Sequence, residues 1–162
     1  MSSPRFSRGE FEACIKGGAT LGSVVEDVQR HGSRVVTWPV TLHVPLSKPG
    51  ETDLILRYNL RRPERVHIIY RLRKKCIVRL DTHDEHRQHG KLFLGSHMHF
   101  ISDPLDETGI VAHPLKPPIQ GFSDSPGSGD RVRYWIPLEW MCDRLSISRP
   151  TLNRQDLEEV LP

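Results

Sequence analysis

Residues that could do chemistry are concentrated in two short stretches, Arg79-Leu80-Asp81-Thr82-His83 and His97-Met98-His99. Successive side chains of a β-strand point to opposite faces. If both stretches are strands, Arg79, Asp81 and His83 share one face of the first, and His97 and His99 share one face of the second. Antiparallel pairing of the two strands then places an arginine, an aspartate and three histidines on one patch of sheet.

The H-x-H pair favours acid–base chemistry. Same-face neighbours on a strand lie about 7 Å apart, so His97 and His99 disfavour each other's protonation, and one can be neutral while the other is charged. A general base and a general acid need this division. Arg79 would bind a phosphate in bidentate fashion and Asp81 would orient an imidazole. Because RNA carries its own 2′-hydroxyl nucleophile, these four residues predict a metal-independent ribonuclease that needs no cofactor.

Three other interpretations use the same residues. The H-x-H pair, with Asp81 and His83, could chelate zinc, iron or nickel. The patch could bind a partner through phosphate or acidic groups without catalysis. It could also be a structural polar face, in which Arg79 and Asp81 form an ion pair within one strand that contributes little to stability.

Positive charge is unevenly distributed along the chain. The formal net charge is only +3, yet residues 57–79 hold nine basic residues and one acid, Glu64. A local basic field attracts polyanions. We therefore expect RNA or another polyanion as the partner, with His83 contacting the substrate. The residues expected to guide the polyanion are Arg71, Arg73, Lys74 and Lys75. The alternative is a solvated strand pair whose edges are protected by charge.

Composition narrows the class of protein. At 162 residues, a single domain is expected. The sequence contains no apolar run long enough for a membrane span and no apolar core of a signal peptide. Its three cysteines are widely spaced and form no C-x-x-C motif, which fits a reducing cytoplasm better than a disulfide framework.

The surrounding elements predict an α+β domain. A helical lead-in is expected over residues 1–32, with one helix behind the capping box Ser7-Arg8-Gly9-Glu10 and a second beginning at Ser23. Residues 34–101 alternate like an antiparallel meander, interrupted by a polar hairpin loop at 84–91. Residues 102–162 are rich in loops, with a strand at 131–136 and a helix at 137–145. We expect about five or six strands, with the C-terminal helix packed on one face.

The order Arg79-Leu80-Asp81, His83, a glycine-containing polar loop and His97-Met98-His99-Phe100 resembles a family of small, largely uncharacterised bacterial and prophage proteins. Their pattern is R-L-D, a histidine, an N-P-D-G-type turn and H-x-H followed by an aromatic or aliphatic residue. The resemblance covers about residues 57–147. It departs in the loop, where His86-Arg87-Gln88-His89-Gly90 replaces that turn.

The resemblance implies a prophage or mobile-element setting. It makes a toxin of a toxin–antitoxin pair plausible, with a cognate antitoxin or a host protein as a further partner. The rival function is a non-enzymatic inhibitor that binds a host protein or nucleoprotein through the basic strand face.

Overall fold

The fold is an antiparallel sheet with two helices, as seen in a computed structural model. The structure describes residues 6–24, 29–31, 35–45, 47–59, 62–88, 90–101, 110–116, 119–120, 122 and 135–149. The helices are α1 (Arg8–Ile15) and α2 (Trp135–Arg144). The strands are β1 (Thr20–Val24), β2 (Gln29–His31), β3 (Val35–His43), β4 (Thr52–Asn59), β5 (Arg62–Leu72), β6 (Lys75–Gln88), β7 (Lys91–Ile101) and β8 (Ile110–Pro114). The α+β class is therefore confirmed.

All pairings between the named strands are antiparallel, and from β3 onward each strand pairs with the next. At the other end of the sheet, β1 and β2 both pair with β3. The described residues thus form eight strands, where five or six were expected. The additional strands come from the segments before residue 34 and after residue 102.

The first helix agrees with its capping signal. The Ser7 amide donates to Glu10 Oε2 at 2.6 Å, and Ser7 Oγ accepts from the Glu10 amide at 3.2 Å. These two bonds satisfy backbone groups that a helix N-terminus otherwise leaves unpaired. The helix buries Phe11 and Cys14.

The predicted second N-terminal helix is wrong. Thr20–Val24 and Gln29–His31 are strands that pair with β3, and residues 25–28 and 32–34 lie outside the described part of the chain. The described residues of the predicted helix pair with β3 instead, with Val24 opposite Val40 and Arg30 opposite Val36. Tertiary pairing commonly overrides a marginal propensity, because the buried area outweighs tenths of a kcal/mol per residue.

The predicted polar loop at 84–91 is also wrong. β6 runs on to Gln88 and β7 begins at Lys91, so the backbone of residues 84–95 is mostly paired as a two-stranded outer ribbon. The ribbon exposes Leu92 and Leu94, the latter to 68%. The polar composition of this segment reflects solvent exposure and not a lack of regular structure.

One face of the central sheet forms the core. Tyr70, Ile68 and Leu80 are fully buried there, and α2 packs against β5. The apolar stripe predicted for the C-terminal helix is confirmed, with Leu138, Met141, Cys142 and Leu145 all buried. The helix begins at Trp135, two residues before Pro137. The strand predicted at 131–136 is therefore wrong at its last two residues, and residues 131–134 lie outside the described ranges.

Candidate functional site

A row of polar residues crosses three neighbouring strands on the face opposite that core. Asp81 of β6 lies directly opposite His67 of β5 on one side and His97 of β7 on the other. In the next row Arg79 lies opposite His99. Directly opposed residues project to the same face of an antiparallel sheet. The pairing therefore brings one arginine, one aspartate and three histidines together.

Two register shifts enclose the segment of β6 that carries Arg79 and Asp81. One shift lies between Tyr70 and Arg71 in the β5–β6 pairing, and the other lies between Asp81 and Asp84 in the β6–β7 pairing. A β-bulge inserts an extra residue into one strand and re-aims the side chains around it. Here the two shifts bring the polar residues of three strands into phase.

Asp81 is at the centre of the cluster. Its Oδ1 lies 2.6 Å from His67 Nδ1. Its Oδ2 lies 2.8 Å from Arg79 Nε, 2.9 Å from His99 Nε2 and 3.5 Å from His97 Nε2. The carboxylate therefore contacts four nitrogen-bearing side chains from three strands.

The protonation state of Asp81 follows from these contacts. Burial alone raises the pKa of a carboxyl group, because the charged form loses its hydration. At Asp81 that effect is outweighed by hydrogen bonds from His67, His97 and His99 and by the charge of Arg79, so the pKa is held well below its ordinary value. Asp81 is therefore a carboxylate across the physiological pH range.

His97 is oriented by the backbone. Its Nδ1 lies 3.0 Å from the carbonyl oxygen of Gly95, which can only accept a hydrogen bond. Nδ1 therefore carries a proton, and Nε2 is directed towards Asp81 Oδ2. The His97 and His99 rings stand edge to face with centroids 4.8 Å apart. A backbone carbonyl that fixes the far nitrogen of an imidazole is the usual outer support of a histidine metal ligand.

The cluster has a buried floor and a more open rim. Asp81, His97 and His99 are 0%, 1% and 4% exposed, whereas the side chains of His67 and Arg79 are 29% and 36% exposed. A macromolecular substrate could reach the rim, but it could not contact the two buried imidazoles directly.

The floor has the composition of a metal site. Asp81, His97 and His99 each offer one ligand atom, and these atoms lie within 4.8 Å of one another. Two imidazoles and one carboxylate are a donor set for zinc, iron or nickel. With bonds of about 2.1 Å, tetrahedral ligand atoms lie roughly 3.4 Å apart. The 3.5 Å between His97 Nε2 and Asp81 Oδ2 is close to this spacing, whereas the 2.9 Å between His99 Nε2 and Asp81 Oδ2 is shorter.

His83 has a different position from the one expected. It has a positive φ of 48° at the bulge between Asp81 and Asp84. Its backbone N–H donates to Ser96 Oγ at 3.4 Å, and its ring stacks on Phe122 with centroids 5.6 Å apart. These contacts give His83 a structural role in the bulge.

The basic residues expected to guide a polyanion lie around the β5–β6 turn. Arg71 is held by both oxygens of Asp53, at 2.8 and 2.6 Å. Arg73 pairs with Glu51 and Glu10, so acids from distant parts of the sequence compensate two of the four charges. Lys74 is exposed in the turn, and Lys75 Nζ lies 5.4 Å from the centroid of the Phe6 ring.

Two members of the site did not emerge from the sequence. Neither His67 nor Gly95 is among the candidate residues that the sequence indicates. Alternation places His67 on the same face of β5 as Ile69 and Arg71, but it does not place His67 opposite Asp81, which depends on the register shift. Gly95 has a φ of 91°, a conformation that glycine adopts without strain.

Comparison with known proteins identifies no relative. No family model, no curated protein and no solved structure matches this chain. Within the described residues, no helix is both long and apolar enough to cross a bilayer. The family resemblance drawn from the R-L-D and H-x-H motifs accordingly stays a prediction.

Proposed function

We propose that this chain is a metal-binding protein that holds one divalent transition-metal ion through Asp81, His97 and His99. The observation that carries the proposal is the convergence of their ligand atoms, all within 4.8 Å of one another, on a buried floor. The sequence favoured metal-free acid–base cleavage by His97 and His99. Their burial favours the metal alternative, because an ion can occupy an enclosed site that RNA cannot enter.

The outer contacts support this assignment. The Gly95 carbonyl fixes the Nδ1 proton of His97, and His67 donates from Nδ1 to the Asp81 oxygen that Arg79 leaves unoccupied. Partners of this kind orient ligands and raise their basicity. Three protein ligands also leave a coordination position for water or substrate, as in catalytic zinc sites and two-histidine, one-carboxylate iron sites.

Metal analysis tests the proposal directly. Protein purified without an affinity tag should contain about one transition-metal ion per chain, or should take up one equivalent of Co²⁺ with a visible absorption band. Asp81→Asn and His99→Ala should each abolish uptake. His113→Gln, which alters an exposed histidine of β8, is the matched control and should bind normally. Wild-type protein that neither contains nor takes up an ion would refute the proposal.

The second candidate is the predicted toxin-type ribonuclease, and one contact favours it. His67 Nδ1 lies 2.6 Å from Asp81 Oδ1, and the ring is 29% exposed beside the guanidinium of Arg79. A carboxylate-oriented imidazole next to an arginine suits acid–base cleavage of a phosphodiester. On this candidate the accessible catalytic histidine is His67, with His97 and His99 behind it.

A chelator separates the two candidates. RNA cleavage that persists in EDTA and is lost in His67→Asn supports the ribonuclease. If purified protein cleaves no RNA under any condition, this candidate is wrong. Salt-sensitive RNA binding without cleavage, lost when Lys74 and Lys75 are neutralised, would instead favour the non-enzymatic binding protein.

A further inference from the structure

The guanidinium of Arg79 lies against the proposed metal ligands. Its Nε and Nη2 lie 2.8 and 2.6 Å from Asp81 Oδ2, and Nη2 also lies 3.2 Å from His99 Nε2. The guanidinium therefore contacts two of the three proposed ligand atoms. It is a cation within the donor set of a cation site.

The hydrogen bonds at His99 Nε2 conflict with one another. This nitrogen lies 2.9 Å from a carboxylate oxygen that can only accept and 3.2 Å from a guanidinium nitrogen that can only donate. A protonated Nε2 satisfies Asp81 and opposes Arg79, whereas an unprotonated Nε2 does the reverse. A metal ion between Asp81 Oδ2 and His99 Nε2 would use both lone pairs and remove the conflict.

Arg79 cannot stay beside a bound dication. A guanidinium and a metal ion are both cations, and two cations sharing one carboxylate oxygen repel each other. Its side chain is 36% exposed and lies on the open side of the cluster, so rotation outward carries the charge towards solvent and not into the core. A guanidinium displaced in this way would stay at the rim of the cluster, close to the proposed ligands.

We propose that metal binding displaces Arg79 from Asp81, and that the freed guanidinium and the ion together bind an oxyanion of the phosphate type. This inference rests on the proposed metal site and adds its ligand class. A guanidinium provides a planar pair of donors that matches a phosphate or carboxylate oxyanion. A metal with an open position binds a further oxygen of the same group.

Cobalt titrations of wild type and Arg79→Gln test both the displacement of Arg79 and the binding of an oxyanion. In phosphate-free buffer, Arg79→Gln should bind Co²⁺ about twofold to fivefold more tightly, because the loss of a partly exposed ion pair removes the competitor. Inorganic phosphate should tighten Co²⁺ binding by wild type and leave Arg79→Gln unchanged. Repeating the titration with acetate distinguishes a phosphate-type site from a general oxyanion site. Lys74→Gln, which removes an exposed cation at the β5–β6 turn, should behave as wild type in every arm.

Each outcome decides between the two proposals. If neither wild type nor Arg79→Gln binds Co²⁺, the metal site itself is wrong. If wild type binds but Arg79→Gln binds equally or more weakly, or if phosphate still tightens binding in Arg79→Gln, the displacement inference is overturned. If Arg79→Gln does not fold, Arg79→Lys replaces it in the titration, because lysine keeps the charge but lacks the planar pair of donors. It should retain competition with the metal and show no phosphate effect.

Discussion

Asp81 and His97 face each other directly across β6 and β7, although the turn that joins these strands is out of phase with that pairing. The turn pairs Gln88 with Lys91, and the same register continued inward would set Asp81 opposite Met98. The shift between Asp81 and Asp84 changes the partner to His97. The alignment of Asp81 with His97 thus depends on one extra residue in β6.

Asp81 is the contact point of the cluster, so its charge should matter for stability as well as for metal binding. Removing one partner of a buried charge pair leaves the others uncompensated and costs on the order of 3–5 kcal/mol. We expect Asp81→Asn to lower the free energy of unfolding in urea by about that amount. Asp53→Asn breaks the partly exposed pair with Arg71 and should cost under about 1 kcal/mol. If the two variants lose equal unfolding free energy, the buried contacts of Asp81 contribute no more than a partly exposed ion pair.

Gly95 should matter in two ways: its backbone adopts a positive φ, and its carbonyl orients His97. Gly95 and Gly90 have φ values of 91° and 76°, and a Cβ at either position would meet no atom within 4 Å. Alanine at each position should therefore cost a similar roughly 1 kcal/mol through strain alone. Only Gly95→Ala rotates the carbonyl that holds His97, so only this variant should weaken Co²⁺ binding. Equal metal affinities in the two variants would remove the carbonyl from the site.

His67 should act on the metal through Asp81. Its hydrogen bond to Oδ1 turns Oδ2 towards the two buried histidines. We expect His67→Phe to weaken Co²⁺ binding about 10-fold to 100-fold, the usual effect of losing an outer-shell partner. His67→Gln can still donate to the carboxylate and should recover most of the affinity. If Phe and Gln variants bind alike, the hydrogen bond does not contribute.

Alkaline pH should destabilise the fold through Cys142. Burial raises the pKa of this thiol to about 12 from its ordinary value of 9.0. Because the folded pKa is the higher one, the contribution to stability is complete below pH 9.0 and is lost as the pH rises towards 12. Between pH 8 and pH 10 the loss from this group should be about 1.4 kcal/mol.

Urea unfolding of wild type and Cys142→Ala under reducing conditions measures this effect. The variant is expected to lose stability at every pH, because alanine leaves a small cavity, so the quantity to compare is the change between pH 8 and pH 10. That change should be smaller in Cys142→Ala. Parallel pH profiles would show that the thiol does not titrate in this range.

Much of the site can be predicted from the alternation of polar and apolar residues along the sequence. It is sufficient to group Arg79 with Asp81 and His97 with His99, because same-face neighbours on a strand follow from spacing alone. It is not sufficient to find His67. A two-residue turn at Arg73 and Lys74 pairs Leu72 with Lys75, and without a shift His67 would then lie opposite Leu80.

The same holds for helices and strands: those with local sequence signals can be predicted, and those that depend on distant partners cannot. The helix behind Ser7 has its capping box within four residues, and the observed helix begins directly after Ser7, at Arg8. The helix predicted after Ser23 is wrong because Val24 pairs with Val40 and Arg30 pairs with Val36, contacts that local periodicity does not reveal. Burial of the histidine floor was likewise hidden, because it depends on how the sheet is covered and not on strand spacing.

The shift between Asp81 and Asp84 also separates the outer ribbon from the rest of β6 and β7. Backbone pairing of residues 84–95 follows its own alignment, so whole residue pairs could be added or deleted at the tip without changing the alignment of Asp81 with His97. Related chains should tolerate length variation there and resist it between residues 75 and 83. A reporter peptide grafted between Gln88 and Lys91 should accordingly leave metal uptake intact, and the ribbon is the best place to attach one.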